Sequence, residues 1–164
     1  MALPLEEVWV NRSVVKIILK SIKDKPGVAA QLFEILANEG VNAELIVQGP
    51  SSKGRTDLAF LVLESQLPKI LEKQEEILEM VDGRDISVDK KVALLVFYGG
   101  KELSKRPGVA ARVFDILAQA GVNIEMISTS LESLSIVIRE NRVDDAIIAL
   151  RDNLGIEPEG SYQR

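Results

Sequence analysis

The segment DKPGVAA places Asp24 just ahead of Gly27, Val28 and Ala29, and Gln48 follows at the end of an apolar run. If a helix begins at the proline, its first-turn amides are unpaired and carry a partial positive charge. The small Gly27 and Ala29 then let a carboxylate approach the backbone. Asp24 can pair with an ammonium group on the same ligand, so the two ends suit a zwitterionic α-amino acid, and Gln48 could hydrogen-bond the ligand's side chain. The same residues also have a purely architectural reading. Pro-Gly starts the helix, the alanines let it lie close to a sheet, and Asp24 adds a favourable dipole interaction of roughly a few tenths of a kcal/mol. Taken alone, the residues leave both readings open.

The segment occurs twice. KPGVAAQLFEILANEGVNAE and RPGVAARVFDILAQAGVNIE align at Pro26 and Pro107, an offset of 81 positions, and share Pro, Gly, Val, Ala, Ala, Phe, Ile, Leu, Ala, Gly, Val, Asn and Glu in order. In a chain of 164 residues such a duplication implies two domains of about 80 residues each.

The elements that must position these residues follow from periodicity. Residues 14–22 are a β-branched and aliphatic run, the pattern of a largely buried strand. A helix follows, with Pro26 in its first turn, Val28, Leu32, Ile35 and Leu36 on one face, and Gly40 ending it. Strands are expected at 43–48 and 56–63, an amphipathic helix at 67–81 and a short strand at 85–88. The second copy repeats the order at 92–98, 107–120, 124–129, 134–138 and 143–153, with a last strand missing or very short in GIEPEGSYQR. This order is the split βαβ, ferredoxin-like unit, an α+β fold with helices on one face of an antiparallel sheet. Domains are therefore expected at 14–90 and 91–164. EEVWV, residues 6–10, would be threaded into the second sheet in place of its missing strand; the alternative is a frayed N-terminal arm.

Composition removes several functions. The net charge of −5 and pI near 4.9 argue against a nucleic-acid or acidic-membrane partner. The chain has no cysteine, hence no disulfide, thiolate zinc site or cysteine nucleophile, and no histidine, the commonest general base and metal ligand. No metal or other cofactor is expected. MALPLEEVWV has no basic n-region, and no apolar block approaches the roughly 20 residues of a membrane span, so the expected location is cytoplasmic.

Several chemistries share this topology. RNA-recognition domains stack bases on aromatic residues of the central strands. AELIVQ, TDLAFLVL, NIEMIST and LSIVI lack that RNP pattern, and only 4% of the chain is aromatic. Metal-chaperone versions need a CxxC pair. Small-phosphate hydrolysis would use a first-loop arginine with a nearby asparagine, for which Arg106 and Asn123 exist. The first copy has Lys25 at the arginine position, however, and no glycine-rich nest precedes either helix. The chain is not expected to be an enzyme.

SIKDKPGVAAQLFEILANEGVNAELIVQ with TDLAF, followed by RPGVAARVFDILAQAGVNIEMISTS with LSIVI, closely resembles the paired ACT domains that form the regulatory part of aspartate kinases. The likeness runs from about residue 14 to residue 150 and preserves the order of the copies. It implies two ACT units that form a homodimer, the first repeat of one chain lying against the second of the other. It also implies an effector amino acid, threonine and in many members lysine, bound at these interfaces and feeding back on the kinase. By motif position the threonine-type site would fall on Asp24, Gly27, Val28, Ala29 and Gln48, completed by Asn123 and Ile124 of the partner subunit. Ser130 would match a position in the lysine-type site. The alternative is an interaction or dimerisation module that has kept the packing and lost the ligand.

The copies differ from each other and from the family. Lys105 stands where the first has Asp24, and Thr129 where it has Gln48. A like charge in place of the ammonium partner should keep the second loop from holding an amino acid the same way. The family's usual Gly-Met segment and Ser-His before the second Pro-Gly are replaced by GGKELSKRPG, with Leu103 at the methionine position and Lys105-Arg106 just before the proline, an added positive charge that disfavours a cationic effector. The amino-acid-kinase domain that precedes this region in aspartate kinases is missing. A separate regulatory subunit, a stand-alone sensor and an excised portion are all compatible with that, and the initiating methionine leads us to expect a complete small protein whose partner is an aspartate kinase catalytic chain.

Overall fold

The computed structural model describes residues 2–160. Contacts divide the chain into two compact units, one of Ser13–Lys90 and one formed by the chain up to Arg12 together with Lys91 onward.

The first unit holds β1 (Glu7–Lys23) from Ser13 on, α1 (Val28–Asn38), β2 (Leu45–Gln48), β3 (Arg55–Leu63), α2 (Leu67–Glu72), α3 (Gln74–Val81) and the start of β4 (Asp85–Tyr98). Its strands lie in the order β2-β3-β1-β4. β3 runs antiparallel to both neighbours, with Leu58 opposite Leu19 on β1 and Gln48 on β2. Strand alternation sends Val15, Ile17 and Leu19 to the face that also presents Leu58, Phe60 and Val62. Helical spacing brings Val28, Leu32 and Leu36 of α1 onto that face with Ile70, Ile77 and Val81. Phe33 meets Phe60 edge-on at a centroid separation of 5.8 Å. α1 ends at Gly40, whose N–H donates to the Ala37 carbonyl at 2.9 Å, while the Val41 N–H donates to Leu36 at 2.8 Å.

The second unit holds the first residues of β1, β4 from Lys91, α4 (Val109–Gln119), β5 (Met126–Thr129), β6 (Ser133–Arg139) and α5 (Val143–Leu154). Its order is β1-β4-β6-β5. The start of β1 takes the place a fourth strand would occupy: the Glu6 N–H donates to the Tyr98 carbonyl at 2.8 Å, and Val8 and Val10 join Ala93, Leu95 and Phe97 in the core beneath α4 and α5. Past α5 the chain adds a one-residue parallel bridge, Glu159 to Trp9. The last part of GIEPEGSYQR, residues 161–164, lies outside the described residues.

Several expectations need correction. Residues 6–10 and 14–22 were expected as separate strands, yet β1 runs unbroken from Glu7 to Lys23, and 85–88 joins 92–98 as the single β4. Polar Asn11, Arg12 and Ser13 interrupt the apolar pattern but not the extended backbone, and Arg12 pairs with Asp144 at 2.7 Å. The helix expected at 67–81 is divided at Lys73, whose N–H makes a tight bond to Ile70 at 3.1 Å. Pro26 lies before the first helical turn rather than in it, because Gly27 is the N-cap and α1 opens at Val28.

Candidate functional site

A cavity of about 410 Å³ opens in the first unit where β1 runs into α1. It is lined by Ile22, Lys23, Asp24, Lys25, Pro26, Gly27, Val28, Ala29, Gln48 and Leu58. Asp24, Gly27, Val28, Ala29 and Gln48, singled out from sequence, thus line one cavity. Ile22, Lys23, Lys25, Pro26 and Leu58 were not foreseen there. The only earlier signal for Ile22 and Leu58 was strand alternation, which does not say where a strand ends.

The backbone explains the convergence. Gly27 is left-handed, with φ +94° and ψ −16°, a conformation that turns the chain sharply into α1. A Cβ built on it would meet nothing within 4 Å, so conformation rather than space calls for glycine. No side chain caps α1, and of its first-turn amides the Val28 N–H makes only a long 3.4 Å bond to the Lys25 carbonyl. The Asp24 N–H donates to the Gly54 carbonyl at 2.9 Å, fixing the loop at the end of β1. Asp24, Ala29 and Gln48 are exposed, whereas Val28 is buried beneath them. Lys23 is drawn toward Asp82 at 3.5 Å, while no ion pair engages Asp24 among the described residues.

The second unit has a smaller cavity of about 190 Å³ at the matching place, lined by Leu103, Ser104, Arg106, Gly108, Val109, Ala110, Thr129, Ser130, Ser133 and Leu134. Gly108 repeats the left-handed turn at φ +95°. The approach differs: from Phe97 to Pro107 the chain is three residues longer than from Leu19 to Pro26, and it coils into a 3-10 turn at Gly100–Lys105. Lys105 therefore does not stand over the helix start as Asp24 does. Its ammonium pairs with Glu102 at 2.9 Å, and Arg106 lines the cavity instead, donating to the Ala2 carbonyl. This corrects the direct comparison of Lys105 with Asp24. The Ser130 hydroxyl is engaged in its own turn, accepting the Ser133 N–H at 3.1 Å and sharing a 2.9 Å hydrogen bond with the Ser133 hydroxyl.

Asn123 and Ile124 line neither cavity. Asn123 is exposed and Ile124 packs against the core of the second unit. Among the described residues no acidic cluster could hold a metal ion, and no helix is long and apolar enough to cross a membrane.

The sequence matches the ACT domain over residues 16–79 and again over residues 98–154. The aspartokinase of Corynebacterium efficiens is 32% identical over 157 residues, which cover 92% of this chain and 37% of that protein. The chain thus spans about a third of the length of such curated relatives. The fold matches the ligand-free regulatory subunit of aspartate kinase from Thermus thermophilus with a TM-score of 0.83 and 30% identity, covering 92% of this chain and 98% of that one. It matches aspartate kinase from Synechocystis with a TM-score of 0.91 and 32% identity, covering 99% of this chain and 29% of that one.

Proposed function

Because the chain belongs to the ACT-domain family, with two such domains in tandem, we propose that it is a non-catalytic regulatory module that binds a small α-amino acid. Threonine is the first effector to test and lysine the second. The observation that carries this reading is the 410 Å³ cavity in which Asp24, the uncapped start of α1 and Gln48 come together. The ligand's carboxylate would take the first-turn amides, its ammonium would take Asp24, and Gln48 would hydrogen-bond its side chain. Lys23 and Lys25 on the same wall favour a neutral ligand side chain over a second positive charge.

The likeness to the Thermus thermophilus regulatory subunit supports an aspartate kinase catalytic chain as the recipient of the signal, in the cytoplasm. A homodimer would bring Asn123 and Ile124 of the partner subunit to the site. β2 and β5 are edge strands that expose Ile46 (47%) and Ile127 (43%), which supports association through both repeats. A second reading draws on the same exposed residues: an interaction module that dimerises without a ligand.

Thermal unfolding at fixed protein concentration, against a panel of common amino acids at millimolar levels, separates the two. A shift with threonine or lysine alone supports the sensor. Unfolding that no amino acid shifts, in a protein that still dimerises, overturns it in favour of the interaction module.

A further inference from the structure

Three consecutive residues at the start of β3 hold the two segments that carry Asp24 and Gln48. β1 pairs with β3 as far as Leu19 opposite Leu58 and resumes at Ile22 opposite Thr56, so Lys20 and Ser21 together face Asp57 in a β-bulge. Ser21 sits at φ +54°, unusual for a residue other than glycine, and needs partners to stay there. Asp57 accepts the Ser21 N–H at 2.8 Å, and Arg55 donates to the Ser21 carbonyl at 2.6 Å. The same guanidinium donates to the Asp82 carbonyl at 2.5 Å and to its carboxylate at 2.7 Å, tying the bulge to the end of α3. Thr56 points the other way. Its hydroxyl, in a residue only 5% exposed, donates to the Gly49 carbonyl at 2.7 Å, immediately after Gln48.

The bulge changes which residues face the helices. Val15, Ile17 and Leu19 face the core at odd positions, but beyond the bulge the core residue is Ile22. Asp24 follows at the next position of the same parity and lines the cavity. An unbulged strand would turn Ser21 and Lys23, rather than Ile22, to the core face.

The other repeat serves as an internal control. Leu134 lies opposite Phe97 and Thr129, as Leu58 lies opposite Leu19 and Gln48. There the hairpin closes at once, with the Ser130 N–H donating to the Ser133 carbonyl at 2.9 Å. No strand remains to carry β4 past Tyr98, and the chain coils into the 3-10 turn that sends Lys105 to Glu102. The longer β3 and its Arg-Thr-Asp run therefore accompany the repeat in which a carboxylate, Asp24, lines the cavity at the Pro-Gly turn.

We propose that Arg55, Thr56 and Asp57 are positioning residues for the Asp24–Gln48 cavity, setting its geometry without touching the ligand. This rests on the amino-acid-binding reading above. The test titrates threonine and lysine into wild type and into Arg55→Met, Asp57→Leu, Thr56→Val and Thr56→Ser. Affinity should fall about tenfold in the first three and stay near wild type in Thr56→Ser, which keeps the hydroxyl. In an Arg55→Met background, Asp24→Ala should cost less affinity than it does in wild type, a coupling that a general loss of stability would not produce.

If wild type binds and all the variants bind equally well, the positioning role is overturned while the binding reading stands. If wild type binds neither amino acid, both fall. Should Arg55→Met not fold, the Thr56→Val and Thr56→Ser pair decides the matter, and equal affinities overturn the proposal.

Discussion

Gly27 and Gly108, the second residue of each Pro-Gly pair, hold nearly the same left-handed backbone, with φ +94° and +95°. Each is the N-cap of its helix, and neither has an atom within 4 Å of the position a Cβ would take. Gly27→Ala should therefore destabilise by about 1–2 kcal/mol through backbone conformation alone. Gly108→Ala should cost a similar amount. Urea unfolding of both single variants measures this, and an alanine variant as stable as wild type would contradict it.

Asp24 should matter for ligand and little for folding. An amino acid present at about 100 times its dissociation constant stabilises by about 2.7 kcal/mol, a shift of a few degrees for a chain of this size. Asp24→Ala should abolish that shift while leaving the ligand-free unfolding midpoint near wild type, because an exposed loop carboxylate adds little stability. A shift that survives the substitution would remove Asp24 from the site.

Leu32 in α1 and Leu117 in α4 are both fully buried in their own cores. Each changed to alanine should cost about 2–5 kcal/mol, the transfer of the side chain plus the cavity left behind. Chemical unfolding at two wavelengths or by two probes checks the magnitude. A loss below about 1 kcal/mol would mean the core relaxes far more than close packing allows.

The Arg55–Asp82 pair predicts a pH dependence. The Arg55 guanidinium, by hydrogen bond and then by charge, holds the Asp82 carboxyl below its ordinary value of 3.8, with Lys23 adding to the effect. A folded-state value that is depressed contributes stability above the unfolded value and loses it as pH falls through the folded one. The contribution should thus be complete above about pH 5 and fade below 3.8. Asp82→Asn should flatten that part of the acid limb in unfolding measured from pH 6 to pH 2.5. A variant whose acid limb matches wild type would show that the pair carries no such linkage.

Much of the candidate site was legible because its signal is local. Pro-Gly followed by an apolar 3.6-residue stripe marks a helix start, and Asp24 and Gln48 sit at strand ends that alternation can approximate. Lys105 shows where this stops. At a fixed offset of 81 positions it matches Asp24, but the extra residues after Phe97 coil and turn it to Glu102. Ser130, a candidate for a ligand contact, lines the smaller cavity, and its hydroxyl also closes the β5–β6 hairpin. Short polar residues hydrogen-bond their own backbone as readily as they bind a ligand, and their type alone does not distinguish the two.

The sequence by itself determined the duplication, the kinds of element and the residues that gather at each helix start, since these depend on spacings of two to eight positions. Tertiary structure decided the rest. It joined 6–10 to 14–22 as one strand, running extended through a polar stretch that carries no apolar pattern. It placed a bulge at Lys20 and Ser21, because Arg55, Asp57 and Asp82, far along the chain, supply the partners that hold Ser21 in an otherwise costly conformation. At one repeat's strand end Asp24 lines the cavity, while its counterpart Lys105 turns to Glu102. The length of chain between strand and helix that separates the two cases is set by the neighbouring hairpin, not by a local pattern.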